Sequence, residues 1–254
     1  MDNDWFTVER IDENTFAISE YKHREEMHSY LLIGMEKALL IDTGLGVANI
    51  KSVIDALTKL PIIVATTHIH WDHIGGHKYF DNIAVYECEK QWFTDFPLPL
   101  EVVKANLQDT NCNFPKNFDI NNYTIFQANP QFLLHENEII NLGGRRILII
   151  HTPGHSPGHC CFYELDKGYL FSGDLIYKGC LDIYYPTTDI NDFENSINKI
   201  KQLSISRILP AHHSLNISVG IIDCISNAFK SLRVSGKLRQ GNGIFDFAAF
   251  KIHI

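Results

Sequence analysis

The chain predicts an α+β fold in which sheet packs on sheet and helices cover the outside. Three observations carry that expectation. Short apolar or alternating runs bounded by turn residues fill two stretches, residues 6–41 and 131–172, and helical periodicity follows each. The 254 residues, 45% of them apolar, are enough for one large hydrophobic core, and a single domain over 1–254 is expected. The densest group of ligand-type side chains follows directly on a buried-strand run.

Phe6 to Ile11, Thr15 to Glu20, Ser29 to Ile33 and Ala38 to Ile41 read as an antiparallel sheet, punctuated by Asp12-Glu13-Asn14 and Gly34. Asp42-Thr43-Gly44-Leu45-Gly46 breaks it. Val47, Ile50, Val53, Ile54, Leu57 and Leu60 then recur at helical spacing up to Pro61, which cannot continue a helix. Ile62 to Ala65 is a buried strand, 75–80 a short helix and Ile83 to Tyr86 a further strand. From 92 to 130 the pattern loosens, with Pro97, Pro99 and Pro115 among Trp92, Phe93, Phe96, Leu98, Leu100, Val102, Val103, Phe114 and Phe118. So long a connection inside a compact domain is expected to be a cap or lid, its apolar residues either lining a channel or packing the cap down. Strands return at Gln131 to Leu134, Glu138 to Asn141, Arg145 to Ile150, His159 to Glu164 and Tyr169 to Ser172. A helix over 191–203, a strand over 207–209, a helix over 219–234 and a C-terminal strand over 244–250 complete the reading.

Composition narrows the function. The net charge is −8 and no Lys/Arg group exceeds pairs such as Arg145-Arg146, which argues against nucleic acid and for a small-molecule partner. No run of about eighteen apolar residues predicts a membrane span, and the acidic opening Met1-Asp2-Asn3-Asp4-Trp5 lacks the pattern of a secretory signal. A soluble, cytoplasmic protein is the expectation. The six cysteines fall at irregular spacings and are expected to be reduced core residues, with Cys180 either filler or a soft ligand. Oligomeric state is open, a dimer included.

His68-Ile69-His70-Trp71-Asp72-His73 places three imidazoles and a carboxylate in six residues, a crowding that a divalent cation satisfies. Further ligand types sit just past later apolar runs: His155 after 147–150, Asp174 after Leu170-Phe171-Ser172-Gly173, and His212 or its neighbour His213 after Ile208-Leu209-Pro210-Ala211. A structural ion closes its shell with four ligands, so seven imply two ions and catalysis. His77, His135, His151 and His159 read as core, surface or supporting groups.

Taken with Asp42-Thr43-Gly44, these motifs resemble those of the metallo-β-lactamase superfamily across nearly the whole chain. The likeness is glyoxalase-II-like. Within the superfamily the strings Ile41 to Gly46, Ile140 to Gly143 and Phe171 to Tyr177 are most similar to an acyl-coenzyme A hydrolase branch. The resemblance implies a four-layer αββα sandwich of two mixed sheets, with a cap insertion over about 92–130. It implies two Zn2+ ions, iron or manganese being alternatives: His68, His70 and His155 on the first, Asp72, His73 and His212 on the second, Asp174 bridging. Asp42 is then either a turn residue or a carboxylate supporting the ligands. The implied activity is hydrolysis of a thioester, acyl-coenzyme A foremost, by a metal-bridging hydroxide, with Asp72 passing a proton to the leaving group. Tyr177 is a candidate donor to the substrate carbonyl or a core aromatic. Lys90, Lys104, Lys116 and Lys178 are candidates for the phosphates of coenzyme A. Alternatives are a lactonase for N-acyl homoserine lactones, a weak β-lactamase, an iron sulfur dioxygenase and a non-catalytic binding protein; Asp174, where secreted lactamases tend to carry cysteine, disfavours antibiotic hydrolysis.

Overall fold

The computed structural model describes residues 4–108 and 112–254; the opening Met1 to Asn3 and positions 109–111 of the expected cap lie outside the described residues. Two compact units emerge, the first comprising Met1–Leu134 with Asn141–Arg145, the second His135–Ile140 with Arg146–Ile254. No helix among the described residues is long and apolar enough to cross a membrane.

The first unit is built on a seven-stranded sheet in sequential order: β1 (Thr7–Asp12), β2 (Thr15–Ser19), β3 (His28–Ile33), β4 (Ala38–Ile41), β5 (Ile62–Ala65), β6 (Ile83–Tyr86) and β7 (Phe132–Leu134). The first four strands run antiparallel as expected, and β4 to β7 are parallel, so the sheet is mixed. Between β4 and β5 lies α1 (Ile50–Leu57), shorter than its apolar periodicity because Val47 and Ala48 belong to the preceding turn and Thr58 is already extended. Its buried face is Ile50, Val53 and Ile54, the spacing of one helical stripe. After β5, the single turn α2 (Trp71–Ile74) begins inside the histidine cluster, and only His77–Tyr79 of the expected helix over 75–80 is helical, as a 3-10 turn.

The segment expected to be a cap has regular structure of its own, α3 (Lys90–Thr94) and α4 (Leu100–Gln108). Phe93, Phe96, Val103, Leu107 and Tyr123 are buried in the first unit's core, and Tyr123 Oη donates to the Leu45 carbonyl at 3.1 Å. Most of its large side chains therefore pack the segment down, while Leu98 and Val102 stay exposed.

The second unit holds a five-stranded sheet in the order β13-β11-β10-β9-β8, where β8 is Ile139–Asn141, β9 Arg146–His151, β10 Cys160–Glu164, β11 Tyr169–Gly173 and β13 Arg207–Pro210. β10 is antiparallel to both β9 and β11, and β13 joins β11 in parallel. Helices α5 (Ile190–Ile200) and α6 (Ile221–Val234) bury Phe193, Ile197, Ile225 and Phe229 against the same apolar cluster. Asp189 caps α5 by accepting from the backbone N–H groups of Asn191 and Asp192. A third, three-stranded sheet departs from expectation. The single strand predicted over 244–250 is a hairpin, β14 (Ile244–Phe247) and β15 (Phe250–His253), and β15 pairs in parallel with β12 (Cys180–Asp182). Ala248-Ala249 carries no turn signal, so the hairpin is hidden in the sequence; the buried Phe250 and Ile252 alternating with Lys251 and His253 mark its second strand.

One close approach fixes the loop after β4. Gly46 has φ +73, and a Cβ there would lie 2.3 Å from the Gly75 carbonyl oxygen; a Cβ at Gly75 would lie 2.3 Å from the Leu45 carbonyl carbon. The loop and the end of α2 touch backbone to backbone, joined by Gly75 N donating to the Gly44 carbonyl at 2.8 Å. We predict that Gly75→Ala destabilises the protein by about 1–3 kcal/mol, read as a lower urea midpoint. Gly220→Ala, where the nearest atom to a new Cβ is Ser218 Oγ at 3.5 Å, should leave that midpoint close to wild type.

Candidate metal centre

Parallel strands place the first group of ligands. Because Ile41 of β4 pairs with Ala65 of β5, the residues that follow each strand emerge side by side: Asp42 from one, Thr66-Thr67-His68 from the other. Asp42 is buried with φ +57, a left-handed conformation that Asp tolerates better than most residues. Its carboxylate accepts from Thr67 N at 2.8 Å, Thr67 Oγ1 at 2.7 Å and His73 Nδ1 at 2.9 Å. Asp42 is thus both a turn residue and the support of a proposed ligand.

Donation from Nδ1 leaves His73 Nε2 with its lone pair outward, 3.7 Å from Asp72 Oδ2. His68 Nδ1 lies 3.1 Å from Thr67 Oγ1, and His68 Nε2 is 2.9 Å from His70 Nδ1, with the His68 and His73 rings 4.1 Å apart. Imidazole nitrogens facing one another at such distances suit a shared cation. His70 stacks on Trp92 of α3 at 6.4 Å between ring centroids, and the buried Glu89 carboxylate holds the Ile69 N–H at 2.6 Å. The first unit therefore brings together Asp42, His68, His70, Asp72 and His73.

The same strand logic operates in the second unit. β11 and β13 are parallel neighbours, so Asp174, one residue past β11, and His212, two past β13, leave the sheet side by side. His212 Nε2 is 3.1 Å from Asp174 Oδ1, and His155 Nε2 is 3.4 Å from Asp174 Oδ2. One carboxylate thus offers a separate oxygen to each of two imidazoles, the geometry a bridging ligand requires. His155 Nδ1 donates to the Asp182 carbonyl at 2.9 Å, which fixes the tautomer that presents Nε2. Of the two candidates His212 and His213, His212 has its Nε2 beside Asp174 Oδ1.

Among the core, surface or supporting readings the sequence left for His159, the structure gives the supporting one. Its Nε2 accepts from the Asp174 N–H at 3.1 Å while Nδ1 meets Thr152 Oγ1 at 2.9 Å, so it positions the backbone of the proposed bridging residue. Tyr177 is buried; its hydroxyl donates to the Cys180 carbonyl and its ring lies 5.5 Å from that of His212. To donate to a substrate that hydroxyl must give up this bond. Lys104 and Lys178 donate to the Asn121 and Asn216 carbonyls.

Two buried titratable groups flank the first group. Glu20 accepts from Trp5 Nε1 at 2.6 Å and Leu45 N at 2.8 Å; burial, with a smaller contribution from the Asp72 charge, raises its pKa to about 7. His77 sits between Thr43 Oγ1 at 2.6 Å and Thr66 Oγ1 at 2.8 Å, and burial, aided by His73, lowers its pKa to about 3.

With this geometry in view, the comparisons with known proteins decide the family. The metallo-β-lactamase superfamily profile matches residues 25–212. The chain belongs to that superfamily. It is 27% identical over 239 residues to the acyl-coenzyme A thioesterase MBLAC2 of Bos taurus, covering 82% of this chain and 81% of that one. To the hydroxyacylglutathione hydrolase GloC of Haemophilus influenzae it is 26% identical over 191 residues, covering 73% and 80%. A metallo-β-lactamase from Pontibacter korlensis superposes with a TM-score of 0.67 at 16% identity, over 89% of this chain and 99% of that structure. The chain has the metallo-β-lactamase fold, as the motifs imply, and is a metallo-hydrolase of this superfamily. The donor set of each unit, imidazole nitrogens with carboxylate oxygens, suits zinc, and equally iron or manganese.

Two outcomes follow. Asp42→Asn turns an amide N–H₂ or a weaker acceptor toward His73 and should lower metal affinity about 10–100-fold, measured by chelator competition, with the fold retained because Asn also tolerates positive φ. For His77, the unfolded chain takes up a proton below about pH 6.5 that the folded chain refuses until about pH 3. Stability should therefore fall with decreasing pH across that window, by at most ~1.4 kcal/mol per pH unit, and His77→Gln should remove that component of the urea-midpoint profile.

Proposed function

We propose that the protein is a dinuclear zinc thioesterase acting on acyl-coenzyme A, with residues 1–254 as its single catalytic domain. The observation that carries this reading is the likeness to a thioesterase over about four-fifths of both chains. The superfamily match, which runs from before the first ligand group to His212, supports ligand roles for His68, His70, Asp72 and His73 in the first unit and for His155, Asp174 and His212 in the second. Bound ions would supply a water made acidic enough to attack at neutral pH and a polarised substrate carbonyl.

The chain's own residues do the rest. Asp42 and Thr67 hold His73 and His68 in the ligating tautomer, the Asp182 carbonyl does so for His155, and His159 sets Asp174. Asp72 Oδ2, set beside His73, takes the proton of the attacking water and returns it to the departing sulfur, so thioester and water become carboxylic acid and thiol. Trp92 stacked on His70, with the exposed Leu98 and Val102 of the same segment, offers apolar surface for an acyl chain.

The zinc-loaded protein should release free thiol from a chain-length series of acyl-coenzyme A esters, followed by thiol titration. Asp72→Asn should slow that release by about 10²–10⁴-fold. Absence of thiol release across the series, with the metal content confirmed, would end the thioesterase reading.

A further inference from the structure

Outside the His/Asp groups, the second unit carries another set of metal-ligand side chains on its three-stranded sheet. Cys180 and Asp182 are two apart on β12 and share one face; His253 of β15 pairs directly with Asp182. A sulfur, a carboxylate oxygen and an imidazole nitrogen from the three residues all lie within 4.8 Å of one another. Asp182 Oδ1 and His253 Nδ1 are 3.0 Å apart, and the His253 ring is held by stacking on Tyr184 at 3.8 Å between centroids, 19° between planes. All three residues are half-buried, screened from bulk water yet reachable.

From this geometry we propose that Cys180, Asp182 and His253 form an additional cation site for a divalent ion of the zinc class, distinct from the proposed catalytic ligands. Thiolate, imidazole and carboxylate together select zinc, cobalt or cadmium over magnesium and calcium, which want oxygen ligands throughout. Three protein ligands leave a fourth position for water or a small anion. Burial, with the Asp182 charge beside it, pushes the Cys180 thiol up to about 12, so the sulfur keeps its proton until a cation displaces it. The pair of β12 and β15 is a rigid mount: Asp182 is tied in through the parallel ladder, and the Ile183 N–H donates to the His253 carbonyl at 2.8 Å.

None of the seven proposed catalytic ligands is a cysteine, so a sulfur-to-metal charge-transfer band that is lost in Cys180→Ser reports this site. Full-length protein reconstituted with Co2+ to saturation should show a thiolate-to-cobalt band in the near ultraviolet. Cys180→Ser should abolish the band and His253→Gln should weaken it strongly, both variants keeping the wild-type far-ultraviolet circular dichroism. His68→Ala, which damages the proposed catalytic centre, should keep it, and Mg2+ should produce none; this separates the site from the hydrolase reading. As a second measurement, Co2+ should protect Cys180 from alkylation in the wild type, with the modified cysteine identified by peptide mass. A saturated wild-type protein without the band and without protection, or a band that survives Cys180→Ser, overturns the proposal.

Discussion

The carboxylate of Asp42 is the constraint on which the first unit's histidine cluster rests. A buried charge needs donors on every side, and here one residue collects the backbone and hydroxyl of Thr67 and the imidazole of His73. Those partners come from the end of β5 and from α2, while Asp42 itself ends β4, so a single anion ties together the three segments that present the ligand cluster. The reach is short enough only because Gly46 and Gly75 let the two backbones touch. The left-handed backbone at Asp42 turns the chain at the strand end and aims the carboxylate back toward the loop after β5.

The second unit solves the same problem with neutral partners. His155 is oriented by a main-chain carbonyl and the backbone of Asp174 by His159, whose other nitrogen is held by Thr152. In both units the proposed ligand is held through an atom it would not offer to an ion. This is preorganisation: tautomer and ring orientation are set before any ion arrives, so binding need not spend free energy on ordering them. It also explains why the neighbouring hydroxyls matter, since Thr67 relays between Asp42, His68 and His73 at distances of 2.7 to 3.4 Å.

Much of this is legible in the sequence because strands deliver ligands. An apolar run followed at once by His or Asp singles out His68, His155, Asp174 and His212 as the proposed ligands, and the parallel registers of β4 with β5 and β11 with β13 place the residues that follow those strands side by side. What stays hidden depends on tertiary partners. His159 looks like one more strand histidine, and only the fold brings its Nε2 to the Asp174 amide. The helices within 92–130 were masked by their prolines, two of which, Pro97 and Pro99, lie between α3 and α4 rather than inside either. The terminal hairpin turns on two alanines, and β12 is three residues long, too short for a period-two pattern to register.

The division of labour around β12 bears on why Asp182 has the side chain it has. His155 is oriented by the carbonyl oxygen of residue 182, a group every amino acid carries, so that task places no demand on the side chain there. The side chain points into a different relationship, with His253 across the ladder and Cys180 on the same face. Half-burial raises the pKa of both acids, and the Asp182 carboxylate raises that of the Cys180 thiol further, whereas the thiol's hydrogen bond to Asp182 lowers that of the carboxylate. The pairing with His253 offsets part of that cost for Asp182 but leaves the thiol protonated and weakly bonded. A cation shared by all three removes the conflict at once, by taking the sulfur's proton away and placing positive charge where two acidic groups meet. Through one residue strand β12 then serves both proposals, its main chain orienting His155, a proposed catalytic ligand, and its side chain ligating the additional cation.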